Sequence, residues 1–242
     1  MAANVSVLSP RLAERKLHLA TAIGFPLIVL IGYFKSYYFS FLFDVPRVAN
    51  ALVHAHGIIM SAWVLYFVMQ TALIRTRNVK IHMTSGLVGI ALAALVIVVG
   101  LATAVDAQLV RQAAPPGENP HAFFFLPVSD MVIFAGLFAA AIYFRKRPIE
   151  HKSLMFLTAI RFVPAALFRI PVVPPEYAML WAFGVPALIA SAALAWHSVK
   201  HGKVNRVFAA GVAVIVAAVP LRPVIANSEP WLSFAAWVAS VV

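Results

Sequence analysis

An all-α bundle of seven membrane-spanning helices is the fold class this sequence predicts: one helix followed by three hairpins, N-terminus inside and C-terminus outside. Three observations predict it. Apolar residues make up 63% of the 242 residues and charged residues only 11%, against roughly 25% charged in a soluble domain; mean hydropathy is +0.92. The apolar residues fall into runs of the about 20 residues a bilayer crossing needs, without the alternation of barrel strands. Lys and Arg collect in every second loop, as cytoplasmic loops do.

Residues 1–16 read as a cytoplasmic N-terminal segment, with Arg11, Arg15 and Lys16 ahead of the first span, Leu17–Phe43. That span is too long and aromatic for a cleaved signal peptide, and no small-x-small site follows it. The second span, Ala49–Ile74, opens with LVHAHGIIMSAW, and Arg75, Arg77 and Lys80 join it to the third, His82–Val105. QAAPPGENPHAF is an outside loop. The fourth span, Phe123–Phe144, is joined by Arg145, Lys146, Arg147 and Lys152 to the fifth, Lys152–Ile170. The sixth, Tyr177–His197, meets the seventh, Arg206–Leu221, through Lys200, Lys203 and Arg206. The alternate loops hold Asp44, Asp106, Glu118, Glu176 and Glu229. The transmembrane domain thus covers 17–225. Residues 226–242, with Trp231, Phe234 and Trp237, form a short interfacial segment with aromatics at headgroup depth.

Two hairpins look alike. RTRNVKIH ends at His82 and YFRKRPIEH at His151, each a basic turn followed by a histidine in the first turn of the returning helix. The repeats run in one direction, which gives no support to an inverted-repeat transporter.

Several chemistries are excluded. Without cysteine there is no thiolate zinc site, iron–sulfur cluster, disulfide or covalent haem. The formal charge of +11 is a matter of cytoplasmic loops, not of nucleic acid. The seventh span, VNRVFAAGVAVIVAAVPL, has no lysine for a retinal Schiff base. P-loop, dinucleotide, H-E-x-x-H and G-x-S-x-G patterns are all missing.

Ionisable groups within spans are costly and tend to face the bundle interior, so each is a site candidate. Heights follow from a rise of about 1.5 Å per residue. Arg161 comes out about 15 Å and Asp130 about 22 Å above the inner surface, a gap an arginine bridges; the pair is either part of a site or a structural clasp. A second, outer level gathers His56, Arg169 and Arg222 at about 25–28 Å, with Lys35 and Tyr38 beside them. There Pro164, Pro171, Pro220 and Pro223 are expected to break the fifth and seventh spans and open carbonyls to a cavity. Such a cationic pocket, opening outward, suits a small anionic ligand, haem propionates or a lipid headgroup. Snorkelling to the headgroups explains each cation singly.

His54 and His56 point about 200° apart on a helix, so they do not share one metal. The stripe through His56 runs by Met60, Trp63, Phe67 and Gln70, which makes His56 the inward residue, a ligand or packing group, and places His54 at the interface. Near the inner surface His18, His82 and His151 occupy first turns and His197 ends the sixth span. His82 and His151 are the best pair for a bis-histidine haem b, with Ser85, Gly86 and Gly89 offering a smooth face for a flat ring. That face packs either on a ring, within the bundle or against a second subunit.

At HAHGIIMSAWVLYFVMQ, NVKIH..SGLVGIALA and KRPIEHKSLMFLTAI the chain resembles a group of uncharacterised bacterial seven-span proteins with an H-x-H-G start to the second helix. In its His-bearing hairpins it also resembles membrane cytochromes of the b type. The resemblance implies a bacterial inner-membrane protein. The expected function is haem- or quinone-linked electron or proton transfer, with a redox partner or a second copy of the chain. The alternatives are a non-enzymatic carrier or receptor for a small anion, or an accessory subunit.

Overall fold

The structure, a computed structural model, describes residues 10–46, 48–115 and 117–242. Every regular element among them is helical: α1 (Pro10–Tyr33), α2 (Ala51–Arg75), α3 (Val79–Val105), the single turn α4 (Pro120–Phe123), α5 (Phe125–Tyr143), α6 (Pro148–Leu167), α7 (Val185–His201), α8 (Arg206–Ala226) and α9 (Glu229–Val241). Turns of π-helix extend α1 (Phe34–Tyr38) and α3 (Asp106–Val110) and lead into α7 (Leu180–Gly184). Asparagines start three helices, because a side-chain oxygen accepts one of the first, unpaired N–H groups: Asn50 from Val53, Asn119 from His121 and Asn205 from Phe208. Residues 1–9 of the N-terminal segment, and the side chains of Arg11, Arg15, Lys16 and His18, lie outside the described residues.

Six stretches are long and apolar enough to cross a membrane: Leu19–Tyr38, Ala51–Arg75, Val79–Val110, Pro120–Lys146, Pro175–His201 and Arg206–Ala226. The expected fifth span is not one of them. Helix α6 carries Glu150, His151, Lys152 and Arg161 within its twenty residues. It is nevertheless the hub of the bundle: thirteen of those residues are buried, and it packs against α1, α5, α7 and α8. Its neighbours face outward with their apolar sides, so α6 is screened by protein and its polarity is tolerated.

Two apolar cores flank α6. One joins Trp63, Phe67, Phe134, Phe162 and Phe183; the other joins Leu157, Ile160, Ala190, Phe208 and Ile215. A third, smaller cluster seats the tail. Helix α9 lies against α4 and the Asp106–Val110 turn, with Ala235 fully buried against Ala104, Leu109 and Phe124. Trp231 donates its indole N–H to the His121 carbonyl at 2.9 Å.

The proline breaks expected near the outer level do not occur. Helix α8 runs unbroken through Pro220 and Pro223, and α6 runs through Pro164 and ends before Pro171. Proline inside a packed apolar helix removes one hydrogen bond without ending the helix when neighbouring groups hold it. As a result Arg222 stays on a regular helix and turns into the bundle, where it is 2% exposed.

Candidate functional site

Asp130 on α5 lies at the centre of the polar interior. Arg161 of α6 and Arg222 of α8 both pair with its Oδ1, the latter at 2.5 Å. The Asp130–Arg161 pair is the one anticipated from helical rise; Arg222 joins it instead of the outer level to which counting assigned it. Arg222 also donates from Nε to the Ser129 hydroxyl at 3.3 Å. Beneath the pair lies Phe183, with the Arg222 guanidinium 4.0 Å and the Arg161 guanidinium 5.7 Å from its ring centre. Cations over a ring face are attracted by its quadrupole, most strongly when water is excluded.

The charges do not balance. Two guanidiniums, 3% and 2% exposed, share one carboxylate. Arg161 Nε and Arg222 Nη1 are buried without a hydrogen-bond partner. Asp130 keeps 17% of its side-chain surface open, so the centre is not sealed. An excess cation with orphaned donors is the complement of an acceptor-rich anion.

The other residues expected at the outer level do not join this centre. Lys35 is exposed, its ammonium 5.6 Å from the centre of the Phe43 ring. Arg169 is exposed as well; it donates to the Ala165 carbonyl at 2.6 Å, satisfying an end group of α6, and stacks on Tyr33 at 4.3 Å. The Tyr38 hydroxyl bonds that of Ser61 at 2.8 Å. His54 is exposed and His56 half-buried. Trp63 is a core residue, 1% exposed, among Tyr66, Phe134 and Phe138. Gln70 donates to the Tyr66 hydroxyl at 2.5 Å and to that of Ser85 at 2.8 Å, clasping α2 to α3.

The glycine of HAHG has a packing reason. A Cβ on Gly57 would collide with the ring of Tyr37, whose hydroxyl donates to the His54 carbonyl at 3.2 Å. The π-helical turn after α1 thereby lays two tyrosines on the start of α2.

Near the other end of the bundle the His82 and His151 rings approach to 6.3 Å between centres, at 72°. His151 Nδ1 sits 2.8 Å from the Ala141 carbonyl. That oxygen only accepts, so Nδ1 carries a proton and, in the neutral ring, the lone pair falls on Nε2. His82 Nδ1 is buried without a partner. The smooth face expected beside them is half taken: Tyr66 lies over Gly89, where a Cβ would stand 2.7 Å from its hydroxyl, and donates to the Ser85 carbonyl at 2.6 Å. At Gly86 a Cβ would meet nothing. His197 and His201 stack at 4.2 Å on the last turn of α7. Among the described residues no three or more His, Cys, Asp or Glu side chains gather as a metal site.

Ser129, Phe183 and Tyr66 are the residues that reading the sequence missed. Serine and aromatics are ordinary in apolar spans, and nothing in their spacing marks them. No family model matches the chain, and neither a curated protein nor a solved structure shows significant similarity to it.

Proposed function

We propose that this chain is a seven-span protein of a bacterial inner membrane, N-terminus in the cytoplasm, that binds an anionic group at the Arg161–Arg222 pair. The observation that carries the reading is the surplus positive charge buried with two orphaned donors. An unpaired ion in a protein interior costs several kcal/mol, and an anion placed there offsets that cost. A quinone carbonyl would satisfy the donors but leave the charge, so the imbalance favours an acid group over a quinone. The seventh crossing is α6, whose place among the six apolar stretches supports it; the basic loops support the orientation. Thermal unfolding of the purified protein in the presence of carboxylates, phosphate and sulfate tests the reading. At least one of these anions raises the midpoint, and the rise disappears in Arg222→Gln. A midpoint insensitive to every anion would discard it.

A second reading rests on His82 and His151. Their rings lie 6.3 Å apart between centres, so both imidazoles are close enough to be considered as ligands to one haem iron. His82, whose Nδ1 is without a partner, and His151, through Nε2, would be the residues to hold a haem iron. Haem held there would supply one-electron transfer, while Ala141 fixes the ligand tautomer of His151. Reconstitution with haem gives a Soret band that His82→Ala and His151→Ala both abolish; wild-type protein with no band removes this reading.

A further inference from the structure

The buried centre can be read as a sum of charges. Arginine keeps its proton in a protein, so Arg161 and Arg222 contribute two positive charges and Asp130 one negative. The remainder is a single positive charge. The other side chains placed on the centre leave this sum alone. Ser129, from α5, is a neutral hydroxyl, and Phe183, from the π-helical turn before α7, is a ring. Water screens little of the surplus, because the two arginines are 3% and 2% exposed. Each guanidinium also keeps an unused donor, Nε on Arg161 and Nη1 on Arg222, both buried without a partner. Asp130, with 17% of its side-chain surface open, leaves the centre an approach.

We infer that the anion taken by the arginine pair carries a single charge and two acceptor oxygens, the chemistry of a monocarboxylate, and that Asp130 is the residue that sets this limit on valence. The inference rests on the anion-binding reading and names its ligand class. A monoanion brings the centre to zero. A dianion carries it past zero and leaves an uncompensated negative charge, and a buried unpaired charge is penalised whatever its sign. At a surface, water and salt would blur that difference; in a site with little water it decides between ligands. The oxygens of a carboxylate answer the donors as well, one accepting from Arg161 and the other from Arg222 in charge-assisted hydrogen bonds. Asp130 needs no contact with the ligand for this. It acts through the sum, since the two guanidiniums without it are dicationic and favour a dianion.

The test uses the whole chain in nanodiscs of zwitterionic lipid, with affinities for acetate, sulfate and inorganic phosphate taken from thermal shift. Acetate is expected to bind about tenfold more tightly than sulfate, or better. Phosphate makes the comparison within one molecule, since it passes from monoanion to dianion as pH rises through neutrality. Its affinity is expected to fall several-fold across that interval. Acetate, ionised throughout, corrects for changes in the protein's own charge. In Asp130→Asn the order is expected to reverse, with sulfate about tenfold tighter than acetate. Where that variant does not fold, the wild-type order decides alone. Sulfate as tight as acetate in the wild type, or phosphate affinity unchanged across neutrality, overturns the valence limit while the arginine site stands. Sulfate still the weaker ligand in a folded Asp130→Asn overturns the role of Asp130. If no anion binds at all, the anion-binding reading fails and takes this one with it.

Discussion

At the scale of single residues, the centre is an exercise in unequal charge. Asp130 serves two arginines, so removing its charge leaves two buried cations in place of one. Asp130→Asn is expected to destabilise the protein by about 3–5 kcal/mol, the usual consequence of breaking a buried pair, and to make its melting more dependent on added anion than that of the wild type. Urea or thermal unfolding with and without anion measures both effects. Gly57 offers a cleaner test of packing. Gly57→Ala pushes into the Tyr37 ring and is expected to cost about 1–3 kcal/mol. Tyr37→Ala in the same chain should recover most of that, since contacting sites are non-additive. Equal costs in both backgrounds would show that the ring moves aside freely.

Partners could be read from the sequence only where one helical rise decided the matter. Asp130 and Arg161 sit on consecutive helices joined by a short basic turn, so counting from that turn gave their heights on a common origin. Counting puts Arg222 within a turn of Asp130 in height but groups it with His56 and Arg169, because a height does not say which way a side chain turns. What keeps α8 intact is its packing against α5, α6 and α7, information that no residue in α8 carries. Phe183 and Tyr66 were invisible for a related reason: an aromatic in an apolar span reads the same whether it faces lipid, a guanidinium or a glycine notch.

Among elements, α6 stands apart. Its twenty residues include Arg161, and arginine at the middle of a membrane helix carries a penalty of about 2.5–3.5 kcal/mol in insertion assays. Alone, Pro148–Leu167 is expected to insert poorly in a microsomal insertion assay, whereas Val79–Val105, whose only charge is Lys80 near its start, inserts well. Arg161→Leu should bring α6 up to the level of its neighbours. Efficient insertion of the unaltered segment would mean that protein contacts are not what holds α6 at membrane depth. The same polarity explains the difference between expectation and structure at this scale. A seventh helix was legible from its length and its flanking charges, but its place at the hub was not, because burial by protein and burial by lipid leave similar apolar patterns.

For the whole molecule, an odd number of crossings is the quantity that matters. Seven spans put the two termini on opposite sides of the membrane; six put them on the same side. A C-terminal reporter active only outside the cytoplasm, paired with an N-terminal reporter active only within it, is the expected outcome. Activity of both on one side would leave α6 as a buried helix that does not cross. All-helical class and membrane character were plain from composition. Of the two expected gatherings of polar groups, Asp130 and Arg161 meet, whereas the outer-level cations Lys35 and Arg169 disperse onto Phe43, Tyr33 and a backbone carbonyl and Arg222 joins Asp130.

The third partner of the buried centre arrives last. Once α5 and α6 have been made, Asp130 and Arg161 form a neutral couple; α8, later in the chain, adds Arg222 and tips the sum to positive. A chain stopped after α7 would hold only the neutral Asp130–Arg161 couple at this centre. It is the docking of α8 that makes this centre cationic, so any binding of an acid there would have to await α8.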